Sequence, residues 1–398
     1  MSSLAILGLI GIAIFHSGFV ISYWLKTEPD TDDPSVQQFQ PRTGVVLCLR
    51  GTDPQLDDCL QGLANQSNEF QLYCVFDSST DPARSVVENH ASEFAKQPVM
   101  LVVENVSNTR SLKCNSLLYA LDQVDPSLEV LAFIDGDVKP DVHWLRDLIA
   151  PLASKDVAVT TGNRWFAAAR PKIGTALRQT WNAAAIVQMM IYKIAWGGSW
   201  AARFETIRNS KFTDHLEHAF CEDTAMNRIF QTGEIHRVPS LVTLSDGQST
   251  FESASNFITR QLLTLRLYHR VWPLVLGHAI FVIGANLFAL AALAYSFFNG
   301  DSSAVRQLIT AIFYVQVVNV FSLYYISARN EQLLKKRDVA FTSVKKHRFA
   351  FFTAAFVSQW IHPYCAVKAA LQKQTNWRGI DYEVNSLETK LVEYRPMS

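Results

Sequence analysis

The strongest constraint on the fold of this chain is the uneven placement of its apolar residues. Residues 4–25 are almost wholly apolar, broken only by His16 and two serines. A helix of ~22 residues at 1.5 Å per residue is about 33 Å long, which is enough to cross a bilayer. Two more apolar segments, residues 273–298 and 308–326, lie in the last third of the chain. Because lipid offers the backbone no hydrogen-bond partners, these segments predict membrane helices at both ends.

The N-terminal segment has one alternative interpretation, a cleaved signal peptide. A signal peptide carries basic residues before its apolar run and a small-residue cleavage site after it. Neither pattern is present, and Tyr23 and Trp24 stand where an interfacial aromatic belt is expected. We therefore predict an uncleaved anchor at residues 1–26, followed by a polar linker at residues 27–42.

The loop at residues 329–348 sets the predicted orientation in the membrane, because clusters of Lys and Arg mark the cytoplasmic face. The basic cluster in this loop consists of Lys335, Lys336, Arg337, Lys345, Lys346 and Arg348. Counting back through two spans places an amphipathic helix predicted at residues 256–268, and the domain before it, in the cytoplasm. A last apolar segment, residues 349–371, contains His362 and Pro363. The sequence leaves open whether that segment crosses, re-enters or lies flat on the membrane.

The region from residue 43 has a different pattern, in which short apolar runs alternate with helical segments. Strands are predicted at residues 44–49, 70–76, 99–103 and 128–134, with helices at residues 55–66, 82–96 and 111–123 between them. Strands that alternate with helices in this way form a parallel sheet covered by helices. Ligands of such sheets bind beyond the carboxyl ends of the strands.

Two carboxylates stand at one such strand end, in the sequence Asp135-Gly136-Asp137. Carboxylate oxygens suit Mg²⁺ or Mn²⁺, and Mg²⁺ is usually held by one or two carboxylates together with substrate phosphates. Asp77 ends the second predicted strand and points to the same crevice. The alternative is a plain turn, since Asp-Gly is a common turn pair.

Composition excludes several other classes of protein. The 36 basic and 36 acidic residues balance, so no strong field favours nucleic acid. The six cysteines include no Cys-x-x-Cys pair, so neither a zinc site nor a disulfide framework is indicated. Reduced cysteines fit a cytoplasmic catalytic region.

Six short motifs occur in order between residues 44 and 382. They are the strand and turn at residues 45–54, the acidic segment at residues 77–83, Lys113, Asp135-Gly136-Asp137, residues 198–203, and Glu222-Asp223. Together they resemble membrane-bound family 2 glycosyltransferases, and most of all the ceramide glucosyltransferase branch and its bacterial relatives. The resemblance implies a GT-A fold, an α/β architecture with a Rossmann-like, mostly parallel sheet.

The resemblance also implies roles on the side of a nucleotide-sugar donor. Asp77 is expected to contact the uridine, and Asp81 competes for this role because the segment is one residue longer than the family pattern. Lys113 corresponds to the basic residue after the third strand. Asp135 and Asp137 are expected to hold Mg²⁺ or Mn²⁺, with Asp135 also able to reach the ribose.

On the acceptor side, the resemblance makes Asp223 the general base, with Glu222 beside it. Residues 198–203, from Gly198 to Arg203, correspond to the acceptor-side strand. One motif departs from the family pattern of Arg or Gln, two residues, then Arg-Trp. Arg260 keeps the first position and is expected to face the diphosphate. Thr264 replaces the expected aromatic residue, and Arg266 and Tyr268 are the nearby candidates to substitute for it.

The predicted domains are an anchor at 1–26, a linker at 27–42, a GT-A domain at 43–254, an interfacial helix at 255–271, a membrane region of two to three spans at 272–371, and a polar tail at 372–398. The expected enzyme transfers a hexose from a UDP-sugar, with inversion, to the hydroxyl of a ceramide-, diacylglycerol- or hopanoid-type lipid. The Trp-Arg-Gly-x-x-Tyr pattern at residues 377–382 is similar to a tail found in the ceramide glucosyltransferase branch, and this resemblance favours lipid over polymer synthesis. The alternatives are a membrane polysaccharide synthase and a non-catalytic scaffold with a degenerate GT-A fold.

Overall fold

The computed structural model describes residues 1–27, 39–168, 170–385 and 387–397. Most of the predicted linker, residues 28–38, lies outside the described residues. The two large parts of the molecule are a sheet domain in the middle of the chain and a group of long helices formed by its two ends.

The main sheet has seven strands within the described residues. They are β1 (Thr43–Leu49), β2 (Gln71–Phe76), β3 (Val99–Val102), β4 (Val130–Ile134), β5 (Val159–Phe166), β6 (Ser199–Arg203) and β7 (Ile235–Ser245). Their order is β3-β2-β1-β4-β6-β5-β7. Strand β6 runs antiparallel to both its neighbours, whereas the other neighbouring pairs are parallel. The predicted parallel α/β sheet is therefore confirmed, with one reversed strand in it.

The α-helices are α1 (Ser2–Lys26), α2 (Leu56–Ala64), α3 (Ala83–His90), α4 (Leu112–Gln123), α5 (Trp144–Ile149), α6 (Ile173–Ile191), α7 (Phe204–Asn209), α8 (Phe212–Leu216), α9 (Met226–Ile229), α10 (Phe251–Tyr268), α11 (Trp272–Phe298), α12 (Ser302–Lys336) and α13 (Arg348–Leu371). Short 3₁₀ turns occupy Ala91–Glu93, Ala150–Ala153, Thr232–Glu234 and Val344–His347. Two adjacent acidic residues are typical of the first turn of a helix, but Glu222 and Asp223 lie in a turn before α9.

Buried apolar side chains cover both faces of the sheet. Leu47, Phe76 and Trp144 belong to the cluster on one face, and Phe133 and Trp200 belong to the cluster on the other. The rings of Phe133 on β4 and Trp200 on β6 stack at 3.9 Å between centroids. This cross-strand pair fixes the register of the reversed strand beside β4.

Three helices of the described chain, α1, α11 and α12, are long and apolar enough to cross a membrane. They pack together through small and branched residues such as Leu9, Ala289 and Val315. Helix α13 is outside that set, and it packs against α6 and α10 of the sheet domain as well as α11 and α12. It therefore joins the sheet domain to the spanning helices.

The predicted polar tail forms a second, antiparallel sheet of β8 (Gln374–Trp377), β9 (Ile380–Asn385) and β10 (Glu388–Leu391). Ile380, Tyr382 and Val384 alternate with exposed residues along β9 and are buried. Because alternation at a period of two buries one face of a strand, this short segment packs on the main domain despite its polar composition.

Candidate active site

One edge of the main sheet gathers the polar residues that follow its strands. Strands β2, β1 and β4 are parallel neighbours, so their carboxyl ends lie side by side. Arg50 follows β1, Asp77 follows β2 and Asp135 follows β4. Strand β6 begins at Ser199 opposite Ile134, so that Gly198 lies beside Asp135, whose backbone N–H donates to the Gly198 carbonyl at 3.2 Å.

A cavity of about 790 Å³ opens over this edge. Predicted site residues that line it are Asp77, Lys113, Asp135, Asp137, Gly198, Glu222, Asp223 and Arg260. The segments that carry these residues lie far apart in the chain, and the fold brings them to one place. The volume lies within the usual range for a small-molecule site.

Two basic side chains neutralise the Asp135 and Asp137 pair. The Arg164 guanidinium on β5 donates to Asp137 at 2.8 and 3.0 Å and to Asp135 at 3.1 Å. Lys113 Nζ lies 2.8 Å from Asp135 Oδ1. Burial alone would raise the pKa of Asp135, but Lys113 and Arg164 outweigh it and lower that pKa to about 2. The Asp135 carboxylate is therefore ionised throughout the physiological range.

The donor set around these carboxylates fits a divalent cation that arrives with a phosphate ligand. Arg164 Nη2 contacts both carboxylates, so their oxygens converge on one point. The described residues contain no group of three or more His, Cys, Asp or Glu side chains that could hold a metal ion. Two carboxylates completed by substrate phosphates are the usual protein ligands of Mg²⁺.

Gly197 and Gly198 are required by close packing in the cavity wall. A Cβ on Gly197 would lie 2.4 Å from Glu222 Oε1, and one on Gly198 would lie 2.7 Å from Asp135 Oδ2. The Gly197 N–H donates to Asp223 Oδ2 at 2.8 Å. The glycine pair therefore lets the two acidic segments approach the same stretch of backbone.

The turn at Glu222 and Asp223 is held from both sides. Thr224 N–H donates to Asp223 Oδ1 at 2.6 Å, while Glu222 Oε1 lies 2.6 Å from Lys113 Nζ. Burial raises the pKa of Glu222 to about 7; Lys113 opposes this rise and the neighbouring Asp223 charge adds to it. Asp223 is less buried and faces the cavity, where it can reach a bound substrate.

Asp77 is paired with Arg50 at the far side of the cavity. Burial raises the pKa of Asp77, and the Arg50 guanidinium counteracts part of that rise. The Asp77 backbone carbonyl accepts a hydrogen bond from the Tyr394 hydroxyl at 2.5 Å. Arg50 Nη2 also donates to the Arg395 carbonyl at 2.7 Å. The segment at Tyr394 and Arg395 thus lies against both Asp77 and Arg50.

Arg260 on α10 reaches the cavity without a carboxylate partner among the described residues. Its guanidinium lies 5.3 Å from the ring of Trp377 and 5.9 Å from that of Phe257. Burial and the nearby charge of Arg378 lower the pKa of Arg260 to about 10, so it is charged at neutral pH. A charged guanidinium held between aromatic rings is well suited to bind a phosphate.

Four predicted site residues lie outside the cavity, and each has another role. The Asp81 carboxylate accepts from the backbone N–H groups of Gly51 and Ala83, so it braces two loops. Arg203 donates to the carbonyls of Leu152, Ser154 and Val157. Arg266 donates to the Ala370 carbonyl at 2.9 Å. The buried Tyr268 hydroxyl accepts from Phe220 N–H at 2.7 Å and supports the acidic turn from behind.

Sequence reasoning missed several residues that line the cavity, namely Arg50, Arg164, Arg178, Trp377 and Arg378. Trp377 and Arg378 belong to the Trp-Arg-Gly-x-x-Tyr pattern, which served to predict the type of acceptor and not the residues that line the cavity. Arg378 donates to the Arg50 carbonyl at 2.8 Å and to Asp53 at 3.2 Å, which fastens the second sheet over the cavity. A search for basic residues directly after strands would have found Arg50.

Comparison with known structures identifies the fold. A mannosyltransferase from Pyrobaculum calidifontis in complex with GDP-Man and Mn²⁺ superposes with a TM-score of 0.50 at 17% identity, covering 92% of this chain and 99% of that one. A glucosyl-3-phosphoglycerate synthase from M. tuberculosis scores 0.39 at 13% identity over 60% of this chain and 85% of that one. TarS residues 1–349 from S. aureus, in complex with UDP-GlcNAc, score 0.38 at 14% identity and cover 89% of this chain and all of that one. No curated protein sequence gives a significant match.

The fold and the cavity are those of a glycosyltransferase of the GT-A type. The profile of glycosyl transferase family 21 matches residues 4–389, so the chain belongs to that family. The predicted enzyme class and GT-A fold are thereby confirmed. The resemblance to the ceramide glucosyltransferase branch is supported, because family 21 is ceramide glucosyltransferase-like; the matched family has the number 21, not 2.

Proposed function

We propose that this enzyme transfers a hexose from a UDP-sugar to the hydroxyl of a membrane lipid, with inversion at the anomeric carbon. The observation that carries the proposal is the convergence of Asp77, Asp137 and Asp223 on one cavity, together with Arg260, which has no carboxylate partner in the described part of the chain. These residues supply a nucleobase contact, a cation ligand, a general base and a phosphate contact. The lipid is of ceramide, diacylglycerol or hopanoid type.

On the donor side, Asp77 would contact the nucleobase of the UDP-sugar, and Lys113 would keep Asp135 in place. Asp135 and Asp137 would hold Mg²⁺ or Mn²⁺, which supplies positive charge to the leaving diphosphate when bound. Arg164 now neutralises both carboxylates, and its bonds to them must lengthen when a cation arrives. Arg260 would contact the diphosphate directly, since no described carboxylate competes for it.

On the acceptor side, Asp223 would take the proton of the lipid hydroxyl as its oxygen forms a bond to the anomeric carbon. The bond between that carbon and the phosphate oxygen breaks on the opposite side, and UDP leaves. The Gly197 and Thr224 N–H groups fix the Asp223 carboxylate in one orientation. A positioned general base of this kind contributes about 10² to 10⁴ in rate.

A lipid acceptor is favoured by the position of the cavity relative to the membrane helices. Helix α10 contributes Phe257 and Arg260 to the cavity, and α13 contributes Lys368. These two helices pack against each other, and α13 also packs against the candidate membrane helices α11 and α12. We infer that the sheet domain faces the cytoplasm, because the basic residues after α12 follow the positive-inside rule.

The test is product formation by the purified full-length chain. UDP release from UDP-glucose, UDP-galactose and UDP-N-acetylglucosamine would be followed with each lipid class and Mg²⁺ or Mn²⁺, and the product mass measured. One hexose added to one lipid supports the proposal. A ladder of longer products would indicate polysaccharide synthesis. Failure of UDP and metal to raise the melting temperature would indicate a scaffold without catalysis.

A further inference from the structure

A second cavity, of about 130 Å³, lies among the helices on the membrane side of the sheet domain. Most of its walls are apolar, but three histidines from three different helices line it: His16 on α1, His278 on α11 and His362 on α13. We call it the histidine cavity. No Asp, Glu, Lys or Arg is among the described residues that line it. Polar side chains inside a membrane bundle are costly and usually serve a function.

One side of the histidine cavity carries a hydrogen-bond donor that lacks an acceptor. The Trp181 indole N–H donates to His362 Nδ1 at 3.2 Å. An indole can only donate, so Nδ1 is the acceptor and the proton of the neutral imidazole is on Nε2. Among the described residues, His362 Nε2 is buried without a partner. This N–H is therefore available to a ligand.

The other side carries an acceptor that lacks a donor. Asn319 Nδ2 donates to Gln359 Oε1 at 2.7 Å, and Asn319 Oδ1 accepts from His16 Nδ1. His16 Nε2 is then an acceptor, and His278 Nε2 donates to it at 3.4 Å. The proton of neutral His278 is thereby used, which leaves Nδ1 as an acceptor. Within the described chain that Nδ1 is also buried without a partner.

The histidine cavity adjoins the first cavity, that of about 790 Å³ over the sheet edge, which we call the catalytic cavity. Helices α6, α10 and α13 line both, and the rings of Trp181 in one and Phe257 in the other lie 6.1 Å apart. His362 and Lys368 are six residues apart on α13, which is about 9 Å along the helix. An amphiphile whose head lies in the catalytic cavity would therefore place its first carbon atoms beside the histidines.

We propose that the histidine cavity binds the acceptor lipid where its head joins its hydrocarbon chains, and that it recognises a secondary amide there. Such an amide supplies both missing partners, because its carbonyl accepts from His362 Nε2 and its N–H donates to His278 Nδ1. An ester at the same place can only accept. The inference rests on the proposed transfer to a lipid, and it assigns the selection among lipids to these two histidines.

The experiment measures binding rather than turnover, so that its failure is distinct from failure of the proposed function. The full-length chain in nanodiscs, without donor, is cross-linked to two probes. One is an N-acyl lipid with a secondary amide, and the other is a diacylglycerol of equal chain length. Each carries a diazirine in its acyl chain, and mass spectrometry maps the adducts. We expect adducts on residues that line the histidine cavity.

Two variants and one control test the recognition. His362→Phe removes the donor and should weaken binding of both probes about five- to tenfold, the usual value of one hydrogen bond. His278→Leu removes the acceptor and should weaken only the amide probe by a similar factor. Asn286→Leu makes a comparable change at a buried site of α11 that does not line the cavity, and should alter neither. Melting curves check that each variant is folded.

Adducts outside the histidine cavity, or equal effects of His278→Leu on both probes, would overturn the proposal. Unchanged binding by the His362→Phe protein would do the same. If the amide pattern is found but no hexose is transferred to any lipid, the lipid site stands and the proposed function fails.

Discussion

Lys113 links three separate segments of the chain at the scale of single residues. Its ammonium lies 2.8 Å from Asp135 Oδ1, 2.6 Å from Glu222 Oε1 and 3.4 Å from the Gly197 carbonyl oxygen. Burial alone would lower the pKa of Lys113, but the two carboxylates raise it well above its ordinary value. One permanent charge therefore keeps the Asp135-Gly136-Asp137 segment beside the turn at Glu222 and Asp223.

The first prediction concerns the general base. Asp223→Asn keeps the shape of the side chain and can still accept through its Oδ1 from one of the two N–H groups, that of Gly197 or that of Thr224, but it cannot take a proton. We expect the turnover number to fall about 10²- to 10⁴-fold. UDP should still raise the melting temperature as in the wild type. Full turnover by this variant would show that another group is the base.

A pH prediction follows from Glu222, whose pKa in the folded protein is about 7 against an ordinary 4.5. Folding therefore favours the protonated form, and this contribution to stability is lost as pH rises through 7. Glu222→Gln cannot ionise but still accepts from Lys113. In chelator and without nucleotide, the melting temperature of the variant relative to wild type should rise between pH 6 and pH 8. A difference that stays constant or falls over that range would contradict the raised pKa.

At the scale of elements, the backbone just before β6 can approach the turn at Glu222 and Asp223 closely only because residue 197 is glycine. Gly197→Ala would bring a methyl group to 2.4 Å from Glu222 Oε1, so the turn must move. We expect a loss of stability of about 1 to 3 kcal/mol, typical of overpacking, and a large loss of activity. Gly233→Ala is the control, because nothing lies within 4 Å of its Cβ position. Equal melting temperatures and activities for the two variants would refute this packing argument.

The second sheet gives another prediction at this scale. Arg378 links the second sheet to the Arg50 carbonyl and to Asp53, beside the expected position of the nucleobase. Arg378→Ala should raise KM for the UDP-sugar about tenfold, since hydrogen bonds from a charged group are typically worth about 1.5 to 3 kcal/mol. Lys390→Ala, at an exposed residue of β10, serves as the control and should leave KM unchanged. A donor KM that is unaffected in both would mean that the sheet has no part in donor binding.

The comparison of sequence and structure also belongs to the elements. Strands β1, β2 and β4 could be predicted from their apolar runs, and so could the carboxylates that follow β2 and β4, because an apolar run that ends in an acidic residue is a local pattern. Arg164 could not, since its proximity to Asp135 depends on β5 lying beyond the reversed β6. The second sheet was missed because its strands are short and its buried residues alternate with charged ones.

At the scale of the whole molecule, helices from the two ends of the chain, each long and apolar enough to cross a membrane, pack in one bundle. Tyr23 on α1 donates to Asn330 on α12 at 3.0 Å, and Arg329 donates to the Thr27 carbonyl at 2.6 Å. These buried contacts fix the anchor against the last spanning helix, beside the sheet domain. The sheet domain is thus joined to the candidate membrane helices from both directions along the chain.

The predicted topology can be measured in intact cells with a membrane-impermeant maleimide. Ser303→Cys places a thiol at an exposed position in the first turn of α12, next to the loop from α11, and Lys390→Cys places one on the second sheet. With the sheet domain in the cytoplasm, only the first should react before the membrane is permeabilised. The native cysteines are buried or partly buried, and the wild type provides the background. Labelling of the Lys390→Cys protein in intact cells would reverse the assigned orientation.

The most direct test of the account is a structure determined with UDP and Mn²⁺, using the anomalous signal of manganese. We predict one manganese peak at coordination distance, about 2 Å, from an Asp137 oxygen and from a diphosphate oxygen. The nucleobase of UDP should lie beside Asp77, with Asp223 across the same cavity. A nucleotide bound elsewhere, or a manganese peak away from Asp135 and Asp137, would contradict the claim that these carboxylates serve one sugar nucleotide.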